Sequence, residues 1–240
     1  MSREQDPESG KTALLWVLLG IFTIWTVQVT AWHWHLSLTE WGLFPRTTKG
    51  LLGILTMPFL HGDLDHIVNN SFGLLVTGWI LLFAYPHSAK PTLAIGWLLT
   101  GMGVWLMGRP SFHIGASGLV YSLSAFLFFS CIIRRTRRAI GYGMIVAFFF
   151  GASIWGILPF QKGVSWEGHL AGLLSGILSA WLFRKRDVPI AEQMNKRILF
   201  KEPSHWPVSE IPYSEGTVLD PVDRDPIPGP LDQPSHNQRS

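Results

Sequence analysis

The sequence predicts an all-α integral membrane protein, with six transmembrane helices in one bundle and a disordered tail at the C-terminal end. Three observations predict it. Apolar residues make up 48% of the 240 and charged residues only 15%, a balance foreign to most soluble chains. From His66 to Trp166 there is no Asp or Glu, and the basic residues of that stretch gather mainly at 134–138. Six runs free of Lys, Arg, Asp and Glu are long enough, or nearly so, to cross a hydrocarbon core about 30 Å thick as helices, the form in which such runs pair all their backbone polar groups.

In chain order, residues 1–11 form a short N-terminal segment. The first run, Thr12–Trp32, is too long for the apolar core of a secretory signal and has no small-residue cleavage site, so it reads as a retained helix. The connection 33–60 holds Trp34, Trp41, Phe44 and Phe59 and few charges. Two readings suit it: a segment half-sunk in the outer headgroup layer, or a folded lid packed on the helices. The remaining runs are Ile67–Ala84, Pro91–Gly108, Ile114–Ile133, Ala139–Phe160 and His169–Phe183, the last short enough that its helix is expected to reach back through Glu167.

Basic residues set the orientation of such a bundle. Arg3, Lys11, Lys90, Arg134, Arg135, Arg137, Arg138, Arg184, Lys185 and Arg186 fall on one side, against Arg46, Lys49, Arg109 and Lys162 on the other. Both termini are therefore expected in the cytoplasm, with residues 12–186 as the membrane domain. Beyond it, residues 187–240 hold nine of the sixteen prolines and nine acidic against five basic residues, which predicts an acidic, Pro-rich, disordered cytoplasmic tail. The net charge of +3 averages that tail with a basic membrane part and points to no nucleic-acid partner. Cys131 is the single cysteine, so no internal disulfide forms.

Chemistry concentrates at three helix starts. Ser117 lies in Gly115-Ala116-Ser117-Gly118, and His169 in Gly168-His169-Leu170-Ala171-Gly172. Both spans run in the same direction, so the two side chains sit at matching depth near the outer end. A serine hydroxyl becomes a nucleophile when a neutral imidazole within hydrogen-bond reach takes its proton. Gly115 and Gly118 permit close backbone approach, and a helix N-terminus offers N–H groups to a developing oxyanion. Gly168, Gly172 and Gly176, at intervals of four, form a stripe that lets a neighbouring helix come close, primarily a packing signal.

The second span opens with His61-Gly62-Asp63-Leu64-Asp65-His66-Ile67-Val68-Asn69-Asn70. His66 and Asn70 share a face and read equally as oxyanion donors or as interhelical structural bonds. Tyr121, one turn after Ser117, reads as a packing tyrosine or as a support for His169. No carboxylate is placed to complete a triad, which leaves a dyad. A metal site built on His61, His66 and His169 would lack the usual spacing and any carboxylate, and no metal or other cofactor is expected.

This combination of H-x4-H-x3-N, Gly115-Ala116-Ser117-Gly118 with Tyr121, and Gly168-His169 with its glycine stripe resembles the rhomboid intramembrane serine proteases over residues 50–185. The motifs fall in the right order on the second, fourth and sixth spans, and six spans match the basic bacterial form. The resemblance implies a rhomboid-like six-transmembrane-helix bundle in a bacterial inner membrane, with Ser117 as nucleophile and His169 as base and acid. It also implies that His66, Asn70 and the Ser117 N–H hold the oxyanion, that Tyr121 packs on the base, and that His61 supports the site. Its partners would be transmembrane protein substrates cut near the outer face, and the lipid bilayer itself; the sequence assigns no oligomeric state. One feature departs from the family: its adjacent Trp-Arg pair in the first loop is here Trp41 and Arg46, with four residues between them, which leaves that loop's anchoring open. A non-catalytic relative that captures client helices is the second reading, and a small transporter, lacking paired intramembrane charges, a distant third.

Overall fold

The computed structural model describes residues 7–160 and 163–188. Among them are seven α-helices and no strand: α1 Pro7–His33, α2 Thr48–Thr56, α3 Leu64–Ala84, α4 Pro86–Met107, α5 Ser117–Arg134, α6 Arg137–Phe150 and α7 Trp166–Leu182. Six of them correspond to the six apolar runs. The seventh, α2, corrects the expected helix count: it folds inside the connection 33–60, flanked by 3-10 turns at Thr39–Trp41 and Met57–Phe59. Nine residues are enough there because Thr47 caps the helix, its side chain accepting from Gly50 N–H, and Gly50 and Gly53 let it press against the Phe44 carbonyl and the Leu43 backbone.

α1, α3, α5 and α6 with the 3-10 turn that continues it to Ile157 are long and apolar enough to cross a membrane. α4 and α7 fall short of the same standard. Their interior positions are Ser88, Thr92, Gly96, Thr100 and Gly101 on α4 and Gly172, Ser175, Gly176 and Ser179 on α7, all buried. Small side chains on the faces turned into the bundle let neighbouring helices come close and lower the overall hydropathy, while Leu98 and Leu106 of α4 and Leu174 of α7 remain exposed. On the outer helices Phe22 of α1 and Phe148 of α6 stand at 69% and 83% exposure, faces suited to lipid.

Helix ends follow local chemistry. Asp63 caps α3 through His66 N–H, Thr136 caps α6 through Ala139 N–H and Ser165 caps α7 through Gly168 N–H. α4 starts at Pro86, before the predicted Pro91. That internal proline leaves the carbonyl of His87 without its helical donor, and Arg186 Nη1 lies 3.5 Å from it. α7 starts at Trp166 and so includes Glu167, as its length required.

α5 is the hub, packed against α3, α4, α6 and α7. Phe126, Leu123 and Leu127 of α5 are fully buried with Ile80 and Leu81 of α3 and Ala180 of α7. α5 and α7 run parallel at backbone contact: a methyl added at Gly172 would overlap the Gly118 carbonyl oxygen, and one at Gly176 would lie 2.7 Å from Ala125 Cβ. A methyl at Gly73 of α3 would meet Val120 at 2.6 Å, so α3 comes equally near on another side.

The connection 33–60 packs on the bundle. Leu43 is fully buried and pairs with His113 in an isolated antiparallel bridge. Arg46 Nη1 donates to Leu106 O and Gly108 O, and the indoles of Trp97 and Trp105 donate to Ile54 O and Thr47 O. The loop is therefore anchored although Trp41 and Arg46 are apart. The predicted tail, apart from Asp187 and Val188, and most of the segment 1–11 lie outside the described residues.

Candidate active site

Three helix starts meet at one end of the bundle. α5 is the helix there without a side-chain cap: Ala116 precedes it, and its first residue is Ser117. The parallel packing of α5 and α7 brings His169 Nε2 to 2.9 Å from Ser117 Oγ. On its other side, His169 Nδ1 lies 2.9 Å from Gly156 O, in the 3-10 turn that follows α6. A carbonyl can only accept, so Nδ1 carries the proton and Nε2 presents its lone pair to the serine hydroxyl. The neutral imidazole is thereby held in the tautomer a general base requires, without a carboxylate.

Tyr121 stacks on the His169 ring, with centroids 4.1 Å apart and planes 11° from parallel. Its hydroxyl donates to Ser153 O, in the same 3-10 turn that supplies Gly156. Position 156 requires glycine, because a methyl there would strike the Tyr121 hydroxyl and sit 3.0 Å from His169 Nδ1.

The start of α3 completes the arrangement. Gly115, at φ +105°, adopts a conformation open mainly to glycine. A Cβ there would collide with the His66 ring and approach Asn70 Nδ2 to 3.3 Å. Both polar side chains thus face the turn into Ser117. Asn70 is buried at 6% exposure and its Nδ2 has no hydrogen-bond partner, a condition that costs about 1–3 kcal/mol unless something arrives to accept. His61 lies one step out, its ring edge-on to His66 with centroids 5.0 Å apart. Its main-chain N–H is held by Gln28 Oε1 of α1. Burial, with the neighbouring His66, pushes the His61 imidazole down to about 4 and keeps it neutral. Gly168 and Gly118 face one another across the α5–α7 contact, the Gly168 carbonyl oxygen lying 3.0 Å from where a Gly118 Cβ would stand.

A cavity of about 740 Å³ lies over the pair, walled among others by Asp63, His66, Arg109, His113, Ser117 and His169. Its size suits a short stretch of extended chain. Part of its wall is a polar group that sequence reasoning did not assign to the site. Ser165 Oγ lies 2.6 Å from His113 Nδ1, and His113 Nε2 lies 3.2 Å from Arg109 O. Burial pushes His113 below the usual histidine range, so the neutral ring donates from Nε2 to Arg109 O and accepts the Ser165 hydroxyl proton at Nδ1. Glu167, at 2% exposure, takes the Arg109 main-chain N–H at 3.1 Å and the guanidinium Nε at 3.4 Å on the same oxygen. Partners 52 to 58 positions apart in the chain leave no local sequence signal.

A family model of the rhomboid domain matches residues 48–186 of this chain, and the chain belongs to the rhomboid family. Four membrane-length apolar helices accord with a multi-pass membrane protein. A protein of Mycobacterium tuberculosis described as uncharacterized is 37% identical over 150 residues, which is 59% of this chain and 62% of its own length. A similarly described protein of Mycobacterium leprae is 36% identical over 156 residues, 61% of each chain. A protein of Acanthamoeba polyphaga mimivirus named as a rhomboid protein is 24% identical over 148 residues, 58% of this chain and 80% of that one. The chain thus spans under two thirds of the length of its mycobacterial relatives.

Proposed function

We propose that this protein is an intramembrane serine endopeptidase working through the dyad Ser117–His169 in a six-span rhomboid bundle. The observation that carries the reading is the 2.9 Å approach of His169 Nε2 to Ser117 Oγ, with Nδ1 committed to Gly156 O. In that state Ser117 Oγ attacks the scissile carbonyl carbon as its proton passes to Nε2. The carbonyl oxygen becomes an oxyanion that the Ser117 N–H, Asn70 Nδ2 and His66 can hold. Collapse of the tetrahedral species breaks the C–N bond, and the imidazolium gives its proton to the leaving amine. Water then repeats the cycle on the acyl-serine. Tyr121 keeps the ring in plane, and His61 supports His66.

The substrates are proposed to be transmembrane proteins, since a site at the mouth of apolar helices is reached from lipid. A helix must unwind locally before its carbonyl can meet Ser117, so small or helix-weakening residues at the cut are expected. The distribution of basic residues supports a cytoplasmic location for both termini, and with it a site near the outer face of a bacterial inner membrane.

Labelling of the detergent-solubilised protein with a fluorophosphonate tests the assignment. Wild type should label, and Ser117→Ala and His169→Ala should not while remaining folded. Labelling that survives Ser117→Ala would move the nucleophile elsewhere; a folded wild type inert to this and a second serine-reactive warhead would point to a relative that binds client helices without cutting them.

A further inference from the structure

Glu167 is a buried carboxylate two residues before the proposed base, and a buried charge is tolerated only where its partners are well placed. Its partner is a single residue used twice, Arg109 through main-chain N–H and guanidinium. The same guanidinium donates through Nη2 to Val164 O, and the Arg109 carbonyl accepts from His113, whose other nitrogen meets Ser165, the cap of α7. Every polar group of Arg109 named here grips either the start of α7 or the loop 109–116 that runs into Ser117. That loop is itself fixed by the Leu43–His113 bridge and by Gly115 N–H on Met57 O.

We propose that Arg109 is a positioning residue that fastens the first turn of α7 to the segment leading into α5, and so sets the separation of Ser117 and His169. The functional half of this rests on the protease reading; the fastening half does not. Between α5 and α7 themselves the polar contacts are the Ser117–His169 pair with the Tyr121 ring stacked on it and, about two turns further along, Ser175 Oγ on Ser122 Oγ; the reacting pair thus needs a support outside itself at this end, where the rest of the contact is glycine on backbone. Two charged groups locked across it supply the register, and a slip of about 1 Å at a reacting pair is enough to cost on the order of 10²-fold in rate.

The test uses the full chain in detergent, with Cys131→Ser as background and spin labels at Ser111→Cys and Val164→Cys. One narrow distance distribution is expected, broadening in Arg109→Ala. In parallel, the fluorophosphonate rate at Ser117 should fall on the order of 10²-fold in Arg109→Ala at little change in melting temperature. Glu167→Ala should be as slow, and the double variant Arg109→Ala/Glu167→Ala no slower than the worse single, because the two act as one unit. Glu167→Gln keeps an acceptor for the Arg109 main-chain N–H and should recover most of the rate. A distribution that stays narrow with an unchanged rate in Arg109→Ala would overturn the proposal. So would losses in both Glu167 variants that track melting temperature, which mark plain destabilisation. An unlabelled wild type whose distance distribution still broadens in Arg109→Ala would keep the fastening and remove the protease reading.

Discussion

An imidazole has two nitrogens, and at His169 the Gly156 carbonyl accepts from Nδ1 and leaves the Nε2 lone pair to Ser117. Ser117, His169, His66, Asn70 and Tyr121 were all legible in the sequence, because a polar or ionisable side chain at the mouth of an apolar run demands an explanation. Gly156 was not legible, since what it contributes is a backbone carbonyl and the absence of a Cβ. At Asn70 the unpartnered Nδ2 leads to a specific expectation. Asn70→Ala should lower kcat on the order of 10²-fold while leaving fluorophosphonate access intact, as is usual for one lost oxyanion donor; a variant as dead as Ser117→Ala would show Asn70 to be indispensable for more than that. His61 gives a pH signature. Its folded value is depressed to about 4 against an ordinary 6.5, so the fold binds fewer protons there than the unfolded chain. The stability this confers is complete above the unfolded value and is lost as pH falls through the window toward about 4, on the order of 3 kcal/mol in all. As the pH falls through that window the melting temperature of wild type should drop further than that of His61→Phe, which has no imidazole to charge.

At the scale of elements, the apolar runs located six helices, but their ends were set by features of another kind. Ser165 starts α7 three residues earlier than hydropathy suggested, and the 3-10 turn after α6 bends that run so that Ser153 O meets Tyr121 and Gly156 O meets His169. α2 is absent from the set of apolar runs because nine residues with two glycines are far too short to cross a membrane, and tertiary contact with Leu43 and Phe44 stabilises them. The glycine stripe was read as packing, and the geometry bears on how tight that packing is. Gly176→Leu must force α7 away from the Ser122 carbonyl and Ala125. It should destabilise the bundle by at least about 1–3 kcal/mol and slow labelling of Ser117 by displacing His169, although residue 176 is two turns from the dyad. A lower melting temperature in detergent together with a slower rate is the expected pair of results, and a wild-type rate would mean the helices repack without moving the base.

For the molecule as a whole, family and helical class were readable because a lipid solvent restricts the options so severely. The polar stitching between segments was not, because Arg46, Arg109 and Glu167 meet partners about sixty positions away. That stitching also redraws the molecule's boundary. The family match starts at residue 48, yet Leu43 is fully buried against His113 and Arg46 closes the end of α4. The folded unit that holds Ser117 in place therefore reaches back before the domain by which its family is recognised, and residues 42–46 belong to that unit although they carry none of the proposed chemistry.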